Sequence, residues 1–280
     1  MKIAYLGPEK TYTEKAAKEM FPESDLISLK PILKVVRAVE NKEVDFGVVP
    51  LENFYEGEVR ETLDALTEST KTRIVKDKAI EIIHCLGVLQ NNKRIDKIFS
   101  KDQALSQCGE YIYKNYPNAI TIATSSTSEA VEKIAKEKLL DSAAIASEEA
   151  LKNSGFKIIS KDLCKNNKTR FAVIGTEQTK QTGNDKTFLV FHPISKDKPG
   201  TLQENLSFFS NLGINLEYIQ SRPDGKGGYY FYIELKGHEK DEPVQIALKA
   251  LKYALDPENK YPESLKILGS YPDTDWKNKI

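Results

Sequence analysis

In Asn166-Asn167-Lys168-Thr169-Arg170-Phe171, a hydroxyl and an always-charged guanidinium stand side by side where a polar turn enters the apolar run Ala172-Val173-Ile174-Gly175. Such a junction can hold the Thr169 hydroxyl at the rim of a sheet. Taken alone, the segment is a polar turn in which Thr169 is a β-favouring residue and Arg170 is solvated. Three other stretches put a short hydroxyl where a helix should open: Thr11 before Glu14, Ser100 before Gln103, and Ser126 before Glu129. As caps these residues need no further role. In open α/β sheets, however, helix N-termini converge at the carboxyl ends of the strands, where free N–H groups and the helix dipole suit an anion. No glycine-rich nucleotide motif is present, so the anion expected there is small and organic. Glu52 is a lone carboxylate that could act as a base, and His84 reads as a hydrogen-bonded core or crevice histidine. His192 and His238 lack metal-ligand spacing.

Composition sets the frame for these residues. A chain of 280 residues with 40% apolar and 29% charged side chains fits one large or two smaller globular domains. Lys plus Arg and Asp plus Glu are both 41, which leaves no net field to gather nucleic acid or an anionic membrane. The opening apolar run, Ile3–Leu6, is too short for a signal peptide, and no stretch is long enough to span a bilayer. Cys85, Cys108 and Cys164 are odd in number and have no CxxC spacing, against a disulfide framework and a structural zinc. A cytoplasmic enzyme or binding protein is expected.

The elements alternate. Residues 1–6 and 44–49 read as strands, the second stopped by Pro50, and 50–57 as a polar loop leading to a helix on Val59, Leu63 and Leu66. Residues 79–89 read as one long strand centred on His84. Further strands are expected at 95–99, 120–123, 143–146, 158–159 and 171–174, with helices between, an α/β rhythm that suggests a largely parallel sheet. Residues 176–185 hold no large apolar side chain and read as a linker. Beyond it, strands at 187–194, 214–220, 227–235 and 265–268 and helices at 199–212 and 243–254 give a ferredoxin-like βαββαβ order. The Tyr-rich run 229–232 alternates as an ordinary sheet does.

Together these segments resemble prephenate dehydratase with a C-terminal ACT domain, over essentially the whole chain. The family's Gly-Pro-x-Gly-Thr-Phe-Ser is matched by Gly7-Pro8-Glu9-Lys10-Thr11-Tyr12-Thr13, and its Val-Pro-Ile-Glu-Asn-Ser-x-x-Gly by Val49–Gly57. Ser-His-Pro-Gln-Ala-Leu-x-Gln-Cys is matched by Ser100–Cys108, Ser-Thr-Ala by Ser126-Thr127-Ser128, and Thr-Arg-Phe outright by Thr169-Arg170-Phe171. The resemblance implies a two-lobed, periplasmic-binding-protein-like catalytic domain over 1–180, with lobe one at 1–77 plus 156–180 and lobe two at 78–155. An ACT domain over 186–272 would follow. It implies decarboxylation of prephenate with loss of the ring hydroxyl to give phenylpyruvate, with no cofactor and no metal. Thr169 would be the proton donor, in a catalytic group with Arg170 and Phe171. Arg170, Thr11, Asn53, Gln103, Ser126 and Thr127 would hold substrate. Gly200-Thr201-Leu202 and Gln220-Ser221-Arg222-Pro223 resemble the family's phenylalanine-binding elements, placed at a subunit interface in a homodimer or homotetramer.

The chain departs from the family pattern at several places. Phe54 replaces a Ser, Lys101-Asp102 replaces His-Pro, Thr201 an Ala and Gln220 a Glu. Two other readings therefore stand beside the regulated dehydratase: a decarboxylase that keeps the ring hydroxyl, and an amino-acid sensor built on a silent cleft.

Overall fold

The computed structural model describes residues 1–193 and 198–276. Its first sheet contains β1 (Lys2–Leu6), β2 (Asp25–Leu29), β3 (Phe46–Asn53), β4 (Gly57–Glu58), β5 (Arg73–Glu81) and, after a long excursion, β11 (Lys168–Gly175). The order is β2-β1-β3-β11-β5, with β4 beside β3. The excursion builds a second sheet from β6 (Cys85–Val88), β7 (Lys97–Lys101), β8 (Ile120–Thr124), β9 (Ser142–Ala146) and β10 (Lys157–Ser160), in the order β10-β6-β9-β7-β8. Both sheets are mixed rather than largely parallel: β11 runs antiparallel to β3 and β5, and β6 antiparallel to β9 and β10.

These two sheets are the expected lobes, but the crossings differ from those expected. β5 stays in the first sheet to Glu81, which pairs with Lys168, and β10 belongs to the second sheet through β6. The run 79–89 is not one strand. It breaks at Ile82–His84, where the chain passes from lobe to lobe. Its β-favouring residues, with no Gly or Pro before Gly87, hide that break. Nor does Pro50 stop β3. It lies opposite Phe171 at a bulge, where a missing N–H is tolerated, and β3 runs on to Asn53.

Helices cover the sheets: α1 (Tyr12–Met20), α2 (Ile32–Glu40) and α3 (Arg60–Glu68) in lobe one, then α4 (Asp102–Gln107), α5 (Gly109–Asn115), α6 (Thr127–Glu137) and α7 (Glu148–Asn153) in lobe two. α2 shows why such segments fold as they do. Ile32, Val35, Val36 and Val39 repeat at helical spacing and are all buried against the sheet. A Cβ on Gly47 of β3 would come within 2.8 Å of Val35 Cγ1, so only glycine lets this helix lie so close.

The last sheet, all antiparallel, contains β12 (Asp185–Phe191), β13 (Leu216–Pro223), β14 (Tyr229–Lys236) and β15 (Leu265–Pro272) in the order β13-β14-β12-β15. With α8 (Thr201–Ser210) and α9 (Glu242–Leu255) it has the expected βαββαβ order. Ile194, expected to end the first of these strands, lies outside the described residues. One face of this sheet carries the two helices over Leu189, Phe191, Ile233 and Leu235. The other face shares a core with lobe one, where Phe188, Val190, Tyr232, Leu268 and Tyr271 pack with Val49, Leu51 and Ile74. A Cβ on Gly269 would meet the Ile74 carbonyl oxygen at 2.2 Å, so β15 touches β5 backbone to backbone.

The C-terminal unit is therefore docked rather than tethered. Each large apolar side chain in that seam is worth roughly 1.5–3 kcal/mol. The expected linker is held as well: Thr179 bonds the Ser270 carbonyl, and Gln181 Nε2 donates to Asp241 Oδ1 at 2.7 Å.

Candidate functional site at the lobe crossing

Cross-strand register brings the first site residues together. Thr169 on β11 lies opposite Asn53, the last residue of β3. Asn53 is buried, and its Nδ2 donates to Thr169 Oγ1 at 3.0 Å, to Asn167 Oδ1 at 3.1 Å and to the Lys168 carbonyl at 3.3 Å. Its Oδ1 accepts from the backbone N–H groups of Tyr55 and Glu56, at 3.0 and 3.3 Å, which fixes which end of the amide faces Thr169.

Lobe two enters through α4. Gln107 Nε2 donates to Asn53 Oδ1 at 3.4 Å and to Glu56 Oε1 at 3.0 Å, and Gln107 Oε1 accepts from Asn167 Nδ2 at 2.8 Å. The same oxygen lies 3.0 Å from His84 Nε2 at the crossing, so the imidazole proton sits on Nε2. Burial pushes the His84 pKa down, partly offset by the Gln107 bond, and the ring is neutral there. Tyr12, at the start of α1, donates to the Ile83 carbonyl at 2.8 Å. Burial raises its phenol pKa.

The chemical consequence follows from donor arithmetic. An amide nitrogen only donates, so Thr169 Oγ1 is the acceptor in its bond to Asn53. Its own hydrogen is left for a group outside the network. Thr169 is half-buried, so its hydroxyl is open to a group arriving from solvent.

Not every expected residue joins this cluster. Arg170, next in sequence, points through the other face of the strand, as a pleat requires. It is 2% exposed and saturated with partners. Its Nε donates to Asp77 Oδ2 at 2.6 Å, Nη1 to Glu234 Oε2 at 3.0 Å and to Glu52 Oε2 at 3.4 Å, and Nη2 to Tyr271 OH at 2.8 Å and to Glu234 Oε1. Burial alone would lower its pKa, but facing Tyr271, Glu234 and Asp77 push it well above the ordinary guanidinium value. The expectation that Arg170 grips substrate is corrected: it belongs to the seam between lobe one and the last sheet. Phe171 returns to the Thr169 side but lies in the core with Ile3, Tyr5, Val48 and Ile80, so its role is support.

Thr11 caps α1, accepting from Glu14 N at 3.4 Å, and Ser126 caps α6, accepting from Glu129 N at 3.1 Å, with Thr127 the first residue of that helix. Ser100 caps nothing. It is fully buried at the end of β7 and donates to the Ile145 carbonyl at 2.6 Å. Gln103, in the first turn of α4, accepts from Lys101 Nζ at 3.1 Å. Gln107, one turn further on, is the residue that reaches Asn53. Sequence reasoning passed over Gln107 and Asn167, although both stood inside quoted motifs. The i, i+4 spacing of Gln103 and Gln107 put both on one helix face and was the available signal.

The second candidate site is a groove of about 1140 Å³ on the C-terminal unit, between the start of α8 and the β13–β14 end of the sheet. Gly200, Thr201 and Leu202 line it, with Leu216, Tyr229 and Phe231. Gly200 caps α8 at φ 92°, a conformation that favours glycine. Gln220, Ser221, Arg222 and Pro223 lie on β13 and are not among its lining residues. Arg222 instead grips Asp64 of α3, with Nη2 to Oδ2 at 3.1 Å and Nη1 to the other oxygen.

Comparison with known proteins identifies the family and the two domains. Residues 3–179 match the prephenate dehydratase family model, and residues 194–252 match the ACT domain model. A bifunctional chorismate mutase/prephenate dehydratase of Aquifex aeolicus is 38% identical over 97% of this chain and 74% of its own length. A prephenate dehydratase of Methanocaldococcus jannaschii is 34% identical over 96% of this chain and 97% of its own. Among solved structures, prephenate dehydratase from Arthrobacter aurescens in complex with L-Phe superposes with a TM-score of 0.85 at 29% identity, covering 99% of this chain and 91% of that one. The chain belongs to the prephenate dehydratase family and has the family's two-lobed catalytic part and C-terminal ACT domain.

Proposed function

We propose that this chain converts prephenate to phenylpyruvate, with Thr169 as the proton donor. The ring carboxylate leaves as CO2, and its bonding pair flows into the ring as it becomes aromatic. The C–OH bond breaks on the far side of the ring, and the departing hydroxide takes the Thr169 proton and leaves as water. Solvent returns a proton to Thr169. Hydroxide is a poor leaving group, so a positioned acid is what the reaction asks of the protein. The observation that carries this reading is the one-way bond from Asn53 Nδ2 to Thr169 Oγ1, which stabilises developing charge on the oxygen while leaving its hydrogen to be given away. The helix N-termini at Thr11, and at Ser126 and Thr127, with Gln103, are the proposed carboxylate subsites. Purified protein mixed with prephenate is expected to generate phenylpyruvate absorbance. A non-aromatic product would identify the hydroxyl-keeping decarboxylase, and no turnover at saturating prephenate the silent sensor.

Phe54 adjoins the cluster, 47% exposed and edge-on to Tyr55. Phe54→Ser restores a hydroxyl beside Asn53 and is expected to raise kcat or lower KM severalfold. Unchanged kinetics would mean that the aromatic ring has been accommodated.

Phenylalanine is the proposed effector, seated in the Gly200 groove with its carboxylate at the start of α8 and its ring toward Leu216 and Phe231. Calorimetry against phenylalanine, tyrosine, tryptophan, leucine and methionine is expected to favour phenylalanine. Gly200→Val forces a branched side chain into left-handed backbone and is expected to weaken binding by about tenfold or more. Binding untouched by that change would move the pocket elsewhere. The assembly proposed is a homodimer or homotetramer, to be read by sedimentation. The compartment proposed is the cytoplasm, which suits three buried cysteines that are all free thiols. No helix among the described residues is long and apolar enough to cross a membrane.

A further inference from the structure

The strand that carries Thr169 and the strand that floors the effector groove stand back to back, joined by one charged contact. On β14, Phe231 faces α8 and the groove, with Ile233 and Leu235 continuing that face under the helices. Tyr230, Tyr232 and Glu234 alternate onto the opposite face, toward lobe one. On β11, Thr169 faces the cleft and Arg170 the ACT sheet. The Arg170–Glu234 pair thus spans the seam, one residue from the proposed acid and three from a groove-lining aromatic.

The surroundings allow this pair more than one arrangement. Arg170 Nη1 is shared between Glu234 at 3.0 Å and Glu52 at 3.4 Å, and Glu52 lies on β3 directly across from Arg170. Beside them is a cavity of about 10 Å³ bordered by Glu52, Glu58 and Tyr218, room for about one water. Lys186 Nζ lies 3.2 Å from Asp77 and 3.9 Å from Glu234. Glu234 thus keeps a second cation beside it, although Lys186 alone gives it no contact within hydrogen-bond range. Burial would raise the Glu234 pKa, but Arg170 and Lys186 outweigh it and push it down, so the carboxylate stays charged.

We infer that Arg170 is a positioning residue whose bond to Glu234 transmits the state of the effector groove to Thr169. This rests on the dehydratase reading and on phenylalanine as effector. A small rotation of β14 on effector binding shifts Glu234, changes how Arg170 divides itself between Glu234 and Glu52, and so moves the β3–β11 register at Asn53 and Thr169. Because Nη1 holds both carboxylates at once, at 3.0 and 3.4 Å, a shift of Glu234 changes the balance between the two bonds without leaving the guanidinium unpaired.

The test uses the full chain, with turnover measured with and without phenylalanine and phenylalanine binding measured by calorimetry. Phenylalanine is expected to change wild-type kcat/KM by about 5–150-fold. In Glu234→Gln, basal kcat/KM and phenylalanine affinity are expected to stay within about threefold of wild type, while the response to phenylalanine shrinks to about twofold or less. A residue that only held the fold together would lower activity, affinity and response alike. Tyr271→Phe removes one hydroxyl between Arg170 and Glu234 and keeps every charge, so it serves if Glu234→Gln fails to fold; it is expected to lose part of the response. A full response in a folded variant beside a responsive wild type overturns this inference alone. A wild type that neither turns over prephenate nor responds to phenylalanine overturns the functional reading and this inference with it.

Discussion

Thr169→Ala lowers kcat for prephenate by about a hundredfold to ten-thousandfold, the usual worth of a positioned general acid. KM and melting temperature stay near wild type. The reason lies in what the hydroxyl does for the fold, which is little. Asn53 Nδ2 keeps Asn167 Oδ1 and the Lys168 carbonyl as acceptors when Oγ1 is gone, and the half-buried methyl of alanine leaves no deep cavity. The loss therefore falls on the transition state. Thr169→Ser retains the oxygen and its hydrogen and recovers much of the rate. Steady-state kinetics beside a melting curve check both, and near-normal turnover in the alanine variant would strip Thr169 of its role.

Arg170→Ala has the opposite profile, with its largest effect on stability. The substitution leaves Asp77, Glu234 and Tyr271 facing one another in the seam without their guanidinium, and Asp77 and Glu234 are both almost fully buried. Breaking a buried pair in this way costs about 3–5 kcal/mol. In a chain of this size that lowers the melting temperature by about 10 °C. Scanning calorimetry measures the drop, and protease sensitivity of the β5–β15 seam should rise with it. A substrate-gripping arginine would behave differently, with a higher KM on an unchanged melting curve. That result would return Arg170 to the cleft.

Much of this architecture could be read from the chain, and the failures have physical causes. The βαββαβ order was legible because β-favouring runs such as Phe188–Phe191 and Tyr229–Ile233 are separated by two helical segments with Pro199 and Pro243 at their starts. β2 escaped notice because Asp25–Leu29 is a short, largely exposed edge strand whose apolar residues follow no clean alternation. The break at Ile82–His84 is dictated by the second sheet, which local residues do not announce. The motifs named Thr169 and Asn53 but not the register that sets them opposite each other, and Arg170, named with Thr169 by the same motif, lies in the seam on the other face of the strand. A strand's period of two places neighbours on opposite faces, so the correction was available before any coordinates. Gln107 needed more: only its bond across the lobes to Asn53 distinguishes it from Gln103.

The threading of lobe two through lobe one bears on how the chain is made. Residues 85–160 are contiguous and can pair all five of their strands as they leave the ribosome. Lobe one cannot. Its β3 and β5 are synthesised early but are not neighbours until β11 slides between them, and β11 lies beyond the whole of the inserted lobe. β1 can pair with β2 and β3 early, but both registers that tie β5 into the sheet wait on one late strand, and the closure that brings it home spans the interval from Glu81 to Lys168. Lobe two is thus born as a folded bead on an unfinished partner. The strand that completes the sheet is also the one that delivers Thr169, so no nascent chain can hold a working cleft before its first lobe is sealed.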